Sequence, residues 1–171
     1  MCGGFCGLEM EDKLIYKTEN FKLLVPKRPH IDRSEGGHIF IRQIDKAFNN
    51  RAELPPEEAV ELARLTMLAG EAYQNAMNIR GIKVRRINYQ DNGNWAYLRN
   101  EEPFMHVHLY GRTEYSNRQK WGEALVFPNP FTEYYDSIEP INAGDVEEIR
   151  KQINILESTE KYKIENWKLD K

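Results

Sequence analysis

The 171-residue chain has only two cysteines, Cys2 and Cys6, both close to its first residue. Two thiols cannot build a disulfide scaffold, so stability must come from a packed core. A surplus of positive charge is also missing. Lys and Arg number 24 against 27 Asp and Glu, a formal net charge of -3, which excludes a protein held to nucleic acid by bulk electrostatics. No apolar run approaches the roughly 20 residues that cross a bilayer, and the mean hydropathy is -0.72. The first residues lack the charged, apolar, small-residue order of a secretory leader. A soluble, cytoplasmic protein without membrane partners is expected. There are no internal repeats and no low-complexity tracts.

What is present is ample core material. Hydrophobic residues make up 40% of the chain and aromatics 11%, which excludes a wholly disordered chain. Leu14-Ile15-Tyr16 and Phe21 to Val25 read as strands around a Thr18-Glu19-Asn20 turn. A loop from Pro26 to Gly37 leads into a strand at His38 to Ile44. The spacing predicts a long helix from Pro56 to Asn78, opened by Pro55-Pro56 and two glutamates and stopped by Gly81. Ala59, Leu62, Ala63, Ala69, Ala72 and Ala76 form its expected packing face. Strands follow at Lys83 to Tyr89 and Phe104 to Arg112, with a turn at Asp91 to Gly93. An irregular aromatic stretch runs from Phe127 to Pro140. Asp145 then reads as the N-cap of a second helix striped by Val146, Ile149, Ile153 and Leu156. The class is α+β, with an antiparallel sheet of about five strands, a long helix and a C-terminal helix. Residues 1–125 are expected to form the catalytic unit, and residues 126–171 an extension whose helix packs on it.

Chemistry concentrates in Phe104-Met105-His106-Val107-His108-Leu109-Tyr110-Gly111-Arg112. Strand side chains alternate faces, so Phe104, His106, His108 and Tyr110 share one face and Met105, Val107 and Leu109 enter the core. Three readings of the two imidazoles stay open on pattern alone: satisfied structural residues, a chelate completed by a third ligand, or a nucleophile with its acid/base partner.

These residues resemble the signature of the histidine triad family of nucleotidyl hydrolases and transferases, three histidines at alternate strand positions each followed by an apolar residue. Aligned on Gly111-Arg112, His106 takes the middle position and His108 the third. Gly37-His38-Ile39-Phe40-Ile41 resembles the family's Gly-His strand, whose histidine joins the site. Leu54-Pro55-Pro56-Glu57-Glu58-Ala59 resembles the start of its long helix, and Ile87-Asn88 the strand whose asparagine reaches substrate. The likeness spans residues 6 to 112.

The resemblance implies that His106 attacks the α-phosphate of a nucleoside phosphoramidate or a dinucleoside polyphosphate to give a nucleotidyl-histidine. His108 and His38 would orient the nucleophile, and Asn88, Phe104 and Arg112 would contact substrate. It implies a homodimer and requires no cofactor. Cys2 and Cys6 resemble the paired cysteines that begin some zinc-carrying members, so a structural zinc is the one metal it suggests. Alternatives are a nucleotide-binding sensor with little catalysis, or a metal-dependent hydrolase or oxygenase built on His106 and His108.

Three departures stand out. Phe104 replaces the first triad histidine and cannot relay a proton. Val25-Pro26-Lys27-Arg28-Pro29 holds no carboxylate for ribose hydroxyls. Arg99-Asn100-Glu101-Glu102 stands where many members have Gly-Gln-Ser, its glutamates expected to face solvent. Trp95 and Tyr97 read either as base-stacking or as packing residues. His30 is expected to be a solvated loop histidine, and Arg42, Arg85 and Arg86 solvated strand residues, with Arg86 able to aid phosphate binding if it faces the cleft.

Overall fold

Strand parity and turn chemistry assemble one antiparallel sheet. In the computed structural model, which describes residues 12–45, 48–91 and 93–168, β1 (Lys13–Lys17) and β2 (Phe21–Val25) form a hairpin. The Thr18 amide closes its turn on the Phe21 carbonyl at 2.9 Å. Next come β3 (His38–Gln43), α1 (Pro56–Ile79), β4 (Arg86–Asp91), β5 (His106–Arg112) and α2 (Ala143–Glu157). The spatial order is β1-β2-β3-β5-β4. The expected α+β class with five strands and two helices is what forms. Cys2 and Cys6 lie outside the described residues.

One face of the sheet is apolar. Leu23, Ile39, Ile41, Val107 and Leu109 meet Leu62, Leu65, Leu68, Ala69, Ala72 and Tyr73 of α1 in a single core. Each fully buried Leu or Ile there contributes about 1.5–3 kcal/mol. Ala63, placed on the packing face by its spacing, is exposed, while Leu65, Leu68, Tyr73 and Met77 are buried. The helix stops at Arg80 because Gly81 takes a φ of 86°, and the Ile82 amide reaches back to the Met77 carbonyl at 2.8 Å.

The C-terminal helix joins the same core through Val146, Ile149, Ile153 and the later Tyr162. Asp145 is not its N-cap. Asn142 is, and Asp145 stands three residues on, returning a hydrogen bond to the Asn142 amide in a capping box. The Asp145 carboxylate is fully buried and takes the guanidinium groups of Arg33 and Arg80. Burial alone would raise its pKa, but hydrogen bonds from Arg33, the Asn142 amide and Arg80 hold it below the ordinary carboxylate value. Arg33 belongs to the loop between β2 and β3, so this cluster pins that loop to α2.

Strand limits differ slightly from the pattern. β4 begins at Arg86 rather than Lys83, and β5 at His106 rather than Phe104. Gly36 and Gly111 bring the loop and β5 into backbone contact: a Cβ on Gly111 would lie 2.2 Å from the Gly36 carbonyl oxygen. Among the described residues, no helix is long and apolar enough to cross a membrane.

Candidate active site

The sheet's other face carries the histidines. Register places His38 opposite Tyr110, Phe40 opposite His108, and Arg42 opposite His106. Because neighbours across antiparallel strands share a face, His106 and His108 converge as their spacing predicted, and His38 joins them as the resemblance implied. The rings of His38 and His108 lie 4.9 Å apart, and those of His106 and His108 lie 4.6 Å apart.

Backbone partners fix the proton positions. His106 Nδ1 sits 2.9 Å from the Phe104 carbonyl oxygen. A carbonyl only accepts, so Nδ1 carries the proton and Nε2 keeps the lone pair. The His30 amide donates to His38 Nδ1 at 3.2 Å, and His38 Nε2 lies 2.8 Å from His108 Nδ1. Neutral His38 must therefore donate from Nε2 to His108, which leaves neutral His108 with its own proton on Nε2. The chain of bonds ends on an N–H donor beside a lone-pair nitrogen.

Burial keeps these rings neutral. His38, 1% exposed, has its pKa pushed well below the ordinary value by desolvation and then by its imidazole neighbours. Desolvation, helped by His106 and His30, takes His108 down to about 2. His106, only half-buried, is also lowered by desolvation, with the Phe104 carbonyl pulling the other way.

His30 corrects an expectation. Its ring is not a solvated loop group: it lies 4.8 Å from the His38 ring, and its Nδ1 is 2.8 Å from the Tyr110 hydroxyl. Desolvation, with a smaller effect of His106, takes its pKa down to about 4. Pro29 and the pinned Arg33 hold its loop over the sheet. Its flanking residues, Pro29 and Ile31, are both buried, and that apolar context was the signal for it.

A cavity of about 370 Å³ opens over the imidazoles, walled by His30, Trp95, Phe104, Phe127 and Arg99. Trp95 and Arg99 come from a 3-10 helix at Asn94–Arg99, so the long β4–β5 connection does shape the pocket. Tyr97 instead points outward, 86% exposed. Phe127 comes from the irregular C-terminal stretch, which no motif marked.

Phe104 stands just before β5 with its ring 4.8 Å from that of His106. Glu101 and Glu102 are exposed as expected, Glu101 pairing with Arg99. Asn88 faces the Tyr110 row, half-buried, outside the cavity walls. Arg112 is placed away from the cavity: it is buried and donates to the carbonyls of Gln119, Lys120 and Glu123, an anchor for that loop. Arg86 is exposed on the β4 edge, and Arg85 pairs with Glu114. Arg42, expected to be solvated, is half-buried beside His106, with its Nε buried and without a hydrogen-bond partner. Its alternation with His38 and Phe40 was the signal that places it on this face.

Comparison with solved structures settles the architecture. A histidine triad protein from Sinorhizobium meliloti superposes with a TM-score of 0.58 at 17% identity, over 84% of this chain and 88% of that one. The fold is the histidine triad fold. A zinc-bound histidine triad family protein from Mycobacterium smegmatis gives 0.57 at 19% identity, over 87% and 88% of the two chains. A hypothetical histidine triad nucleotide-binding protein from Sulfolobus tokodaii gives 0.54 at 22%, over 87% and 88%. No family model matches the sequence, and no curated protein does.

Within the histidine triad fold of this chain, His30, His38 and His108 bring ligand-capable atoms within 4.8 Å of one another. Neutral imidazoles suit zinc. However, both nitrogens of His38 are engaged, one by the His30 amide and one by His108, so an ion would use that ring only by breaking one of these bonds.

Proposed function

We propose that the chain is a histidine triad nucleotidyl hydrolase or transferase in which His106 Nε2 attacks phosphorus. The observation that carries this reading is the tautomer of His106, whose Nδ1–H is committed to the Phe104 carbonyl. Neutral imidazole is the competent nucleophile, and burial favours it at neutral pH. As the Nε2–P bond forms, positive charge spreads over the ring and the Phe104 carbonyl stabilises it at Nδ1. The side chain at position 104 has lost the triad imidazole, but its main-chain oxygen still serves the nucleophile.

His108 Nε2–H, oriented through His38, is the donor to a phosphoryl oxygen. The bond to the leaving group then breaks: a phosphate departs as the anion with its electron pair, and an amine takes its proton from solvent. Water then cleaves the P–N bond, returns the lone pair to Nε2 and releases the nucleotide. The cavity between Trp95, Phe104 and Phe127 suits a flat base. No step requires a metal.

A homodimer belongs to the same reading. Arg150 of α2 donates to the Leu14 and Ile15 carbonyls and blunts the β1 edge, which leaves β4 as the edge for a second copy. Light scattering that finds a monomer at micromolar concentration removes this part.

The test of the main reading compares wild type and His106→Ala on an adenosine phosphoramidate and on a diadenosine polyphosphate. Equal turnover by the two proteins removes the nucleophile. Phe104 favours a second reading, a nucleotide sensor, because an aromatic side chain at that position binds without relaying protons. Calorimetric binding of AMP by a wild type that turns over neither compound would decide for it.

A further inference from the structure

The site face carries a basic row that the reaction above does not use. Across three adjacent strands, Lys22 of β2 lies opposite Arg42 of β3, and Arg42 opposite His106 of β5. Like charges directly opposite each other in a sheet are destabilising. Neither Lys22 nor Arg42 has an ion-pair or hydrogen-bond partner for its charged head among the described residues, and the Arg42 Nε is buried with none. That buried Nε is a donor without a partner, which a bound anion could satisfy.

Space for that anion exists. Beside His106 and His108, on the side away from Trp95, a more open groove of about 440 Å³ is lined by Arg42, Lys27 and Arg28. Arg28 is already engaged with Asp136. Asp12, the acidic residue of the groove, accepts the Lys27 amide at 2.8 Å. The nucleophile thus stands between an aromatic cavity and a groove with excess positive charge.

We propose that Arg42 determines specificity by holding a second phosphate of the substrate. The site would then take a phosphoanhydride, a nucleoside 5′-polyphosphate or a compound built on one, in preference to a phosphoramidate. This rests on His106 as the nucleophile and adds what lies beyond the attacked phosphorus. The chemistry is self-consistent. When Nε2 bonds to phosphorus, the P–O bond to the bridging oxygen breaks and the leaving phosphate departs with the electron pair as an anion. It needs no proton from the buried imidazoles, and Arg42 neutralises the charge it gains. Lys22 and Lys27 add to the field without fixed geometry.

Calorimetric titration with AMP and ADP tests this, since binding does not require turnover. Wild type is expected to bind ADP about tenfold more tightly than AMP, the worth of one charge-assisted pair. Arg42→Ala should bring the ratio to near one and leave AMP affinity within about threefold, whereas Arg42→Lys should keep part of the preference. A wild type that binds AMP but does not prefer ADP overturns the proposal, as does an Arg42→Ala variant that keeps the wild-type ratio or weakens both ligands equally. If Arg42→Ala melts early, Arg42→Lys decides, and an unchanged ratio there together with unchanged salt dependence counts against it. A wild type that binds neither nucleotide instead removes the nucleotide reading itself.

Discussion

The two faces of β5 are made from one strand and differ by one residue in phase, yet they are almost equally dry. Val107 and Leu109 on the core side are 1% and 0% exposed, and His108 and Tyr110 opposite them are 8% and 0%, with His106 alone half-buried. Burial alone therefore does not separate core from site. What differs is how each face meets the cost of being dry: the apolar side by packing against α1, the imidazole side by hydrogen bonds that run from the His30 amide through His38 to His108, with His30 on the Tyr110 hydroxyl and His106 on the Phe104 carbonyl. The half-buried ring beside that series is His106, the one given the chemistry. Buried, neutral His38 and His108 with the one lone pair left on His106 make a preorganised face.

Substitutions on the two faces should separate activity from stability, and the largest effect belongs to the nucleophile. His106→Ala is expected to lower turnover on the order of 10³-fold or more, with urea unfolding shifted little because that ring is half-buried. On the opposite face Leu109→Ala should cost about 2–5 kcal/mol in urea unfolding, while the folded fraction keeps its specific activity. A Leu109→Ala protein that stays folded but inactive would show the faces to be mechanically coupled and break the comparison.

A smaller effect is expected where the faces meet the loop. Gly111→Ala would place a Cβ 2.2 Å from the Gly36 carbonyl oxygen, and both atoms belong to backbone that has no rotamer to change. About 1–3 kcal/mol of destabilisation follows, read by thermal melting. Activity should fall with it, because the displaced loop carries His30 and its amide bond to His38. A fully stable, fully active Gly111→Ala would mean that the loop does not set the geometry of the imidazoles.

The regular parts of this arrangement were legible from sequence because strand alternation is local. Parity alone puts His106 and His108 on one face and Val107 and Leu109 on the other, and the same rule applied from His38 reaches Arg42. The long helix declared itself by Pro55-Pro56 and Gly81. Ala63 went astray because small residues satisfy a helical stripe without being needed in it. The parts that stayed hidden depend on distant contacts. His30 becomes a site residue only because Arg33 is held by Asp145, 112 positions away in sequence. Phe127 reaches the cavity from an irregular segment with no period to read. Arg112, which the resemblance places in contact with substrate, holds carbonyls of the next loop. The cap of α2 was misplaced by three residues because Asn142 and Asp145 share a capping box and either could lead it.

The finest test of the comparison is the pH dependence of stability. In the unfolded chain each imidazole titrates near about 6.5, but in the folded protein burial lowers His30 to about 4 and His108 to about 2, with His38 also well below its ordinary value. Folded-state values depressed in this way mean that the unfolded chain binds more protons as pH falls. The contribution is fully present above about pH 6.5 and is lost progressively below it. The carboxylates of Asp32, Glu71 and Asp145 are held below their ordinary values too, but they act only below about pH 4.5. The interval from about pH 6.5 to 4.5 isolates the imidazoles. The melting temperature should be flat from pH 8 to 7 and fall by about ten degrees or more across that interval, because each imidazole held neutral through it costs on the order of 2–3 kcal/mol. His30→Gln should flatten the slope, since one fewer ring then resists protonation. A wild type whose melting temperature holds steady down to pH 5 would mean that the imidazole face is wet in solution, and the neutral-ring account of His38, His108 and His106 would fail with it.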